Sequence, residues 1–205
     1  MRQLHTIALS LALLVTSQSH AASSDPCVLL DWHDFQFMGV TETTGITSSG
    51  WQVETPPAEL PGSTLSTGLC AAITKTDKGR EALTLNLSSI KGKVTGQQFA
   101  DWLKTVAAAS DRENEMDVKE FKVDDAECES GRDVVTIPGM FEGEPDTTVN
   151  EYYVACDKHV GTLHVSMNAQ VSQDRKADLP EAGLVKALLD KSVARLKQTA
   201  FKTPN

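Results

Sequence analysis

The stretch DVVTIPGMFEGEPDTTVNEYYVACDKHVGTLHVSMNA, residues 133–169, decides the predicted fold. Two runs rich in β-branched and aromatic residues, 133–137 and 149–156, flank a segment of Gly, Pro and acidic residues. Strand-forming runs separated by a turn-rich segment are typical of a β-hairpin. We therefore predict an antiparallel hairpin whose centre lies near Glu142.

A third run, residues 161–169, follows after the short segment 157–160. Its side chains alternate between apolar and polar, as expected for a strand with one buried face. His164 falls on the polar side of this strand, and His159 is expected in the preceding turn. Together the three runs predict a three-stranded meander with one face in the core.

The chain has four cysteines, Cys27, Cys70, Cys128 and Cys156. Cys128 and Cys156 are equidistant from Glu142, so the hairpin register places them opposite each other on adjacent strands, close enough for a disulfide. Of the three possible connectivities we therefore favour Cys128–Cys156, which leaves Cys27 to bond Cys70. Because the close CxxC or CxH pairs of a zinc site do not occur, no metal and no cofactor is predicted.

Residues 1–21 have the pattern of a secretory signal peptide, with Arg2 before an apolar segment and small residues before a cleavage site after Ala21. We predict export to the periplasm, with residues 22–205 forming one globular domain. Cleavage lowers the Lys and Arg count from 19 to 18 against 28 Asp and Glu, and the net charge from −9 to −10. This acidity argues against a nucleic-acid partner, and the mature chain has no apolar segment long enough to span a membrane.

Two stretches predict amphipathic helices. Thr95 and Gln98 form a capping-box pattern that opens the first helix. Its apolar stripe consists of Phe99, Trp102, Leu103 and Val106. Residues 184–196 carry a broader stripe of Leu and Val, and residues 69–90 predict a further hairpin. The resulting class is α/β (α+β), a single antiparallel β-sheet packed by two amphipathic helices.

The order of these elements resembles the PsbP-like fold over residues 50–198. The order runs from a proline-ended strand at 51–57 through a hairpin and a helix containing Trp102 and Leu103 to a strand meander. A terminal helix ending in VARL at 193–196 completes it. This fold is shared by an extrinsic photosystem protein and a Ran-binding factor. The resemblance implies a sandwich that mostly binds other macromolecules, and it supplies no catalytic residue for this chain.

Acidic residues alternate in the segment after the first helix. They are Asp111, Glu113, Glu115 and Asp117. An EF-hand loop would need glycine where Met116 stands and glutamate where Lys122 stands. A solvated acidic loop is therefore favoured over a calcium site.

His33 lies between Asp31 and Asp34, a composition found in metal and acid-base sites. No distant partner for this group is identifiable in the sequence, so a surface or capping role is favoured. The motifs of zinc proteases, serine hydrolases and phosphate-binding loops do not occur in the chain. We therefore predict a protein that is not an enzyme.

The exposed polar positions give the predicted partner-binding residues. They are Glu142, Glu144 and Asp146 at the hairpin tip, and His164 and Ser166 on the polar side of the third run. Thr84, Asn86 and Ser88 would extend that polar side if their strand belongs to the same sheet.

The function that these features favour is binding of a basic protein partner. Most concretely, we expect a periplasmic inhibitor or immunity protein that neutralises an envelope-acting toxin or cell-wall hydrolase. Two alternatives stay open: a small-ligand carrier with Trp102 in its pocket wall, and a metal-dependent envelope enzyme built on His33.

Overall fold

A computed structural model describes residues 25–31, 33–34, 46–54, 58–76, 79–109, 115–137, 147–199 and 201–203. The strands are β1 (Ile46–Glu54), β2 (Thr64–Thr76), β3 (Gly79–Lys91), β4 (Glu115–Val123), β5 (Ala126–Ile137), β6 (Thr147–Val160) and β7 (Leu163–Ser172). The α-helices in the described part of the chain are α1 (Gly96–Ala109) and α2 (Ala182–Gln198). The described strands form one seven-stranded sheet in the order β1-β2-β3-β7-β6-β5-β4. Every neighbouring pair is antiparallel, which confirms the predicted α+β class with an antiparallel sheet.

The hairpin β5–β6 has the predicted register. Cys128 lies directly opposite Cys156, and the two residues form a disulfide with their Cα atoms 4.1 Å apart. Cys27 bonds Cys70, with their Cα atoms 5.0 Å apart. Both predicted disulfides are therefore confirmed. The hairpin tip at 138–146 and the predicted signal peptide at 1–21 lie outside the described residues.

The β6–β7 connection is tighter than the sequence predicted. Strand β6 continues to Val160, so the turn consists of Gly161 and Thr162 instead of residues 157–160. Gly161 has a φ of +62°, which a residue without Cβ adopts at little cost in a tight hairpin turn. The prediction that His159 lies in a turn is wrong, because it lies on β6.

The helices lie on opposite faces of the sheet. Buried apolar side chains of α2 and of the central strands form the main core, which includes Leu83, Leu85, Leu87, Val165, Met167, Val185, Leu188 and Leu189. Phe99 of α1 is buried instead in a smaller cluster with Leu60, Leu65 and Ile90. Because Ile90 and Leu87 are an odd number of residues apart on β3, they point to opposite sides of the sheet.

Helix α1 begins at the predicted capping box. The Thr95 backbone N–H donates to Gln98 Oε1 at 2.9 Å, and the Gln98 backbone N–H donates to Thr95 Oγ1 at 3.2 Å. The apolar stripe is shorter than predicted: Phe99 is fully buried, Trp102 is half-buried, and Val106 is 43% exposed. Among the described helices, none is long and apolar enough to cross a membrane.

Candidate functional site on the polar side of the sheet

Strands β3 and β7 are adjacent, and they bring the predicted polar positions together on the sheet face opposite α2. The directly opposed pairs are Thr84 with Asn168, Asn86 with Ser166, and Ser88 with His164. Strand alternation turns these side chains away from the main core, because the intervening Leu85 and Val165 are buried there. We call these six residues the polar face, and all of them are half-buried.

At one end of the polar face, His164 meets a second histidine and a carboxylate, close to the turn of the β6–β7 hairpin. His159 lies directly opposite His164, and Asp157 precedes His159 by two residues on the same side of β6. His164 Nε2 lies 3.2 Å from Asp157 Oδ2, and the imidazole centroids are 4.8 Å apart. One ligand atom from each of the three side chains lies within 4.8 Å of the other two. We call Asp157, His159 and His164 the histidine cluster.

Helix α1 closes one side of the histidine cluster. The Phe99 ring meets the His159 ring edge-on, with centroids 6.2 Å apart and planes at 89°. Partial desolvation lowers the pKa of His159, and the His164 imidazole lowers it further, against the opposing effect of nearby carboxylates. A cleft of about 350 Å³ opens between α1 and β6 beside this ring. Its lining includes Gln97, Lys104, Glu127, Asp157 and His159.

On β4, β5 and β6, the side of the sheet that faces away from α2 carries carboxylates that lie directly opposite each other on neighbouring strands. The opposed pairs are Asp133 with Glu115 and with Glu151, Glu120 with Glu129, and Glu127 with Asp157. We call these residues the acidic face. Like charges directly opposite each other on neighbouring strands repel one another, whereas Glu127 also lies opposite Lys122 of β4.

Asp133 lies opposite a carboxylate on each of its two neighbouring strands. Burial raises its pKa, and the carboxylates of Glu115 and Glu151 raise it further. Glu151 itself accepts a hydrogen bond of 2.6 Å from Gln170. A cation placed over Glu115, Asp133 and Glu151 would lower the pKa of Asp133 towards its usual value, because it would stabilise the ionised carboxylate.

Of the other acidic residues singled out in the sequence, the structure describes Glu115 and Asp117, and these two have different neighbours. Glu115 pairs with Asp133 on the acidic face, whereas Asp117 lies 3.7 Å from Arg132. Asp133 and Arg132 are consecutive on β5 and therefore point to opposite sides of the sheet. Four further acids are outside the described residues: Asp111, Glu113, Glu142 and Glu144. The same holds for Asp146, the last acid of the predicted hairpin tip.

The group around His33 is divided between two environments. His33 Nδ1 lies 2.6 Å from Asp31 Oδ1, and both side chains are about half exposed. Asp34 is only 7% exposed and forms ion pairs with Arg195 and Lys191 of α2. Burial alone would raise the pKa of Asp34, but these cations hold it below its usual value. Asp34 therefore anchors the N-terminal segment to α2.

Sequence reasoning placed His164 on the polar side of its strand but did not connect it with Asp157 and His159. The reason is the position of the turn, which was predicted at residues 157–160. With β6 extended to Val160, the two-residue period places Asp157 and His159 on one side of the strand. The two-residue spacing of Asp157 and His159 could therefore have predicted the cluster, but only with the turn placed at Gly161.

No protein-family model matches the chain, and comparisons with curated proteins and with solved structures return no match.

Proposed function

We propose that this chain is an exported, non-enzymatic protein-binding module whose partner is a basic protein. Most concretely, it would be a periplasmic inhibitor or immunity protein that neutralises an envelope-acting toxin or cell-wall hydrolase. The observation that carries this proposal is the acidic face, in which carboxylates oppose each other across three strands. It adjoins the polar face, because Asp157 lies directly opposite Ser166.

A basic partner suits the acidic face for two physical reasons. Cationic side chains of a partner would reduce the repulsion between the opposed carboxylates. The summed field of the carboxylates would also steer a positively charged protein towards this side and raise its association rate. The two disulfides, Cys27–Cys70 and Cys128–Cys156, suit an oxidising compartment outside the cytoplasm.

We also propose that the sheet and its helices form a PsbP-like sandwich. Support comes from α1 and α2, which lie on opposite faces of the antiparallel sheet. In such an arrangement α1 covers one end of this side of the sheet, where its Lys104 pairs with Glu127 of the acidic face.

The test begins with capture of a partner from envelope extract at low ionic strength, followed by its purification and an assay of its toxin or hydrolase activity. The variant Glu120→Gln, Glu129→Gln, Asp133→Asn removes three carboxylates that oppose other carboxylates in the sheet. We expect association at low salt to slow by about tenfold or more, with a flatter dependence on ionic strength. Stopped-flow association rates measured against salt concentration provide the comparison.

A matched control removes the same number of charges elsewhere. Glu59, Asp174 and Glu181 are exposed, and their replacement by Gln, Asn and Gln changes the net charge equally. We expect the control to keep a steep salt dependence. Equal slowing in both variants would assign the effect to net charge and remove the acidic face from the interface. A captured partner whose activity the protein leaves unchanged would contradict the inhibitor proposal.

A further inference from the structure

The histidine cluster has the composition of a metal site, and the acidic face alone does not explain it. Two imidazoles and one carboxylate converge from neighbouring strands, and two of these residues, Asp157 and His159, line the cleft beside α1. We propose that Asp157, His159 and His164 bind a divalent transition-metal ion of the zinc type. The inference does not rest on the proposed function, because metal binding is measured on the protein alone.

The spacing of the ligand atoms supports this proposal. In a tetrahedral site with metal–ligand bonds of about 2.0–2.1 Å, neighbouring ligand atoms are separated by roughly 3.3 Å. His164 Nε2 and Asp157 Oδ2 are already 3.2 Å apart. The largest separation within the cluster is 4.8 Å, so the remaining ligand must approach by roughly 1.5 Å to complete a tetrahedral edge. His159 is exposed, and rotation about its side-chain torsions can supply this shift without moving the strand.

The backbone holds the ligands in place. His159 and His164 are directly opposed on a hairpin closed by a two-residue turn, and Asp157 lies on the same strand as His159. Opposed side chains on antiparallel strands have Cβ atoms about 4.5–5.5 Å apart, a separation that two imidazoles can bridge through one ion. A short turn fixes the register, so the pairing does not depend on a loop.

The two imidazoles and one carboxylate indicate which class of metal ion would bind. Imidazole nitrogens suit zinc, copper, nickel and iron, whereas magnesium and calcium prefer sites built from oxygen ligands. The four cysteines of the chain are all engaged in disulfides, so thiolate ligation does not contribute. Three protein ligands leave a coordination position for water or for a side chain of a bound partner, as in zinc sites that are not purely structural.

The opposed carboxylate Glu127 is a neighbour of the cluster but not one of its proposed ligands. It lies directly opposite Asp157 on β5, and its Oε1 is 3.2 Å from Lys104 Nζ of α1. This ion pair directs Glu127 towards the helix and offsets its charge, so Glu127 is left out of the proposed ligand set.

Titration calorimetry with zinc chloride on chelator-treated protein tests the proposal. We expect saturable binding of one ion per chain with a dissociation constant in the micromolar range or tighter. His159→Ala and His164→Ala should each weaken binding by at least about tenfold, since each removes a direct ligand. Magnesium and calcium should give no such binding, and cobalt(II) bound in the same place should show the visible absorption of a tetrahedral complex.

A matched control is His33→Ala. His33 and Asp31 form a second close histidine–carboxylate pair, but the described part of the chain brings no third ligand to it. We expect zinc affinity to be unchanged in this variant. His159 is exposed, so its replacement leaves the fold intact even if His164→Ala proves unstable. Zinc binding that is absent, that survives His159→Ala, or that is lost in His33→Ala would overturn the proposal.

Discussion

Replacing Phe99 by alanine is expected to lower the free energy of unfolding by about 3–5 kcal/mol. Phe99 is fully buried, and it packs against Leu60, Leu65 and Ile90 in the smaller apolar cluster. Truncation would leave a cavity between α1 and the sheet. Both the lost transfer free energy and the cavity contribute to this loss.

The matched comparison is Trp102→Ala on the same helix. Trp102 stacks on Phe99 with ring centroids 6.0 Å apart and planes at 14°, but it is only half-buried. We expect a smaller loss, of about 1–2 kcal/mol, because part of the Trp102 surface already lies in water in the folded protein. Urea unfolding followed by circular dichroism gives both values. If Trp102→Ala costs as much as Phe99→Ala, the smaller cluster is centred on the tryptophan and the packing described above is wrong.

The first helix shows why an apolar stripe predicts a helix better than it predicts burial. The spacing of Phe99, Trp102, Leu103 and Val106 placed all four on one side of the helix, as the structure confirms for the first three. Val106 is nevertheless 43% exposed. Periodicity reports the direction of a side chain, whereas burial depends on how far the sheet extends beneath the helix. That extent is set by other parts of the chain.

The hairpin shows the same division between local and long-range information. Cys128 and Cys156 could be paired from the sequence, because equal distances from a turn centre fix an antiparallel register. The histidine cluster was missed because it depends on the neighbouring turn, which the sequence pattern placed a few residues too early. A small error in a turn changes which side chains oppose each other on both strands.

Contacts between distant segments were not predictable from local patterns. Asp34 and Arg195 are separated by 161 positions in the chain, and no periodicity connects them. The acidic face has a similar origin, since its carboxylates come from three strands that are each unremarkable alone. Only the sheet register places Glu115, Asp133 and Glu151 in one row.

A buried ion pair at the other end of the core provides the second large expected effect. Glu81 of β3 is 2% exposed and pairs with Arg175, which lies in the short 3-10 helix Gln173–Asp178 after β7. Arg175→Met keeps much of the side-chain volume but removes the cation. We expect a loss of about 3 kcal/mol near neutral pH, because a buried carboxylate would then lack its compensating charge.

The pH dependence of this loss identifies Glu81 as its source. Burial raises the pKa of Glu81, and Arg175 opposes that rise, so the substitution should raise the pKa further. A carboxyl with a folded-state pKa above its unfolded value favours the folded state most at low pH, and that contribution is lost as the pH rises through the folded pKa. The destabilisation by Arg175→Met should therefore be smaller at pH 5 than at pH 8.

Urea unfolding at the two pH values measures this difference, with two further variants as controls. Lys176→Met removes the adjacent cation, which lies 4.2 Å above the Tyr152 ring, and we expect it to cost less than about 1 kcal/mol at either pH. Adding Glu81→Gln to Arg175→Met should recover part of the stability at pH 8, because a neutral amide costs less to bury than an unpaired carboxylate. A loss that is equal at both pH values and unaffected by Glu81→Gln would show that Arg175 contributes through packing and through Asp178, to which its Nε donates a hydrogen bond of 2.6 Å, and not through Glu81.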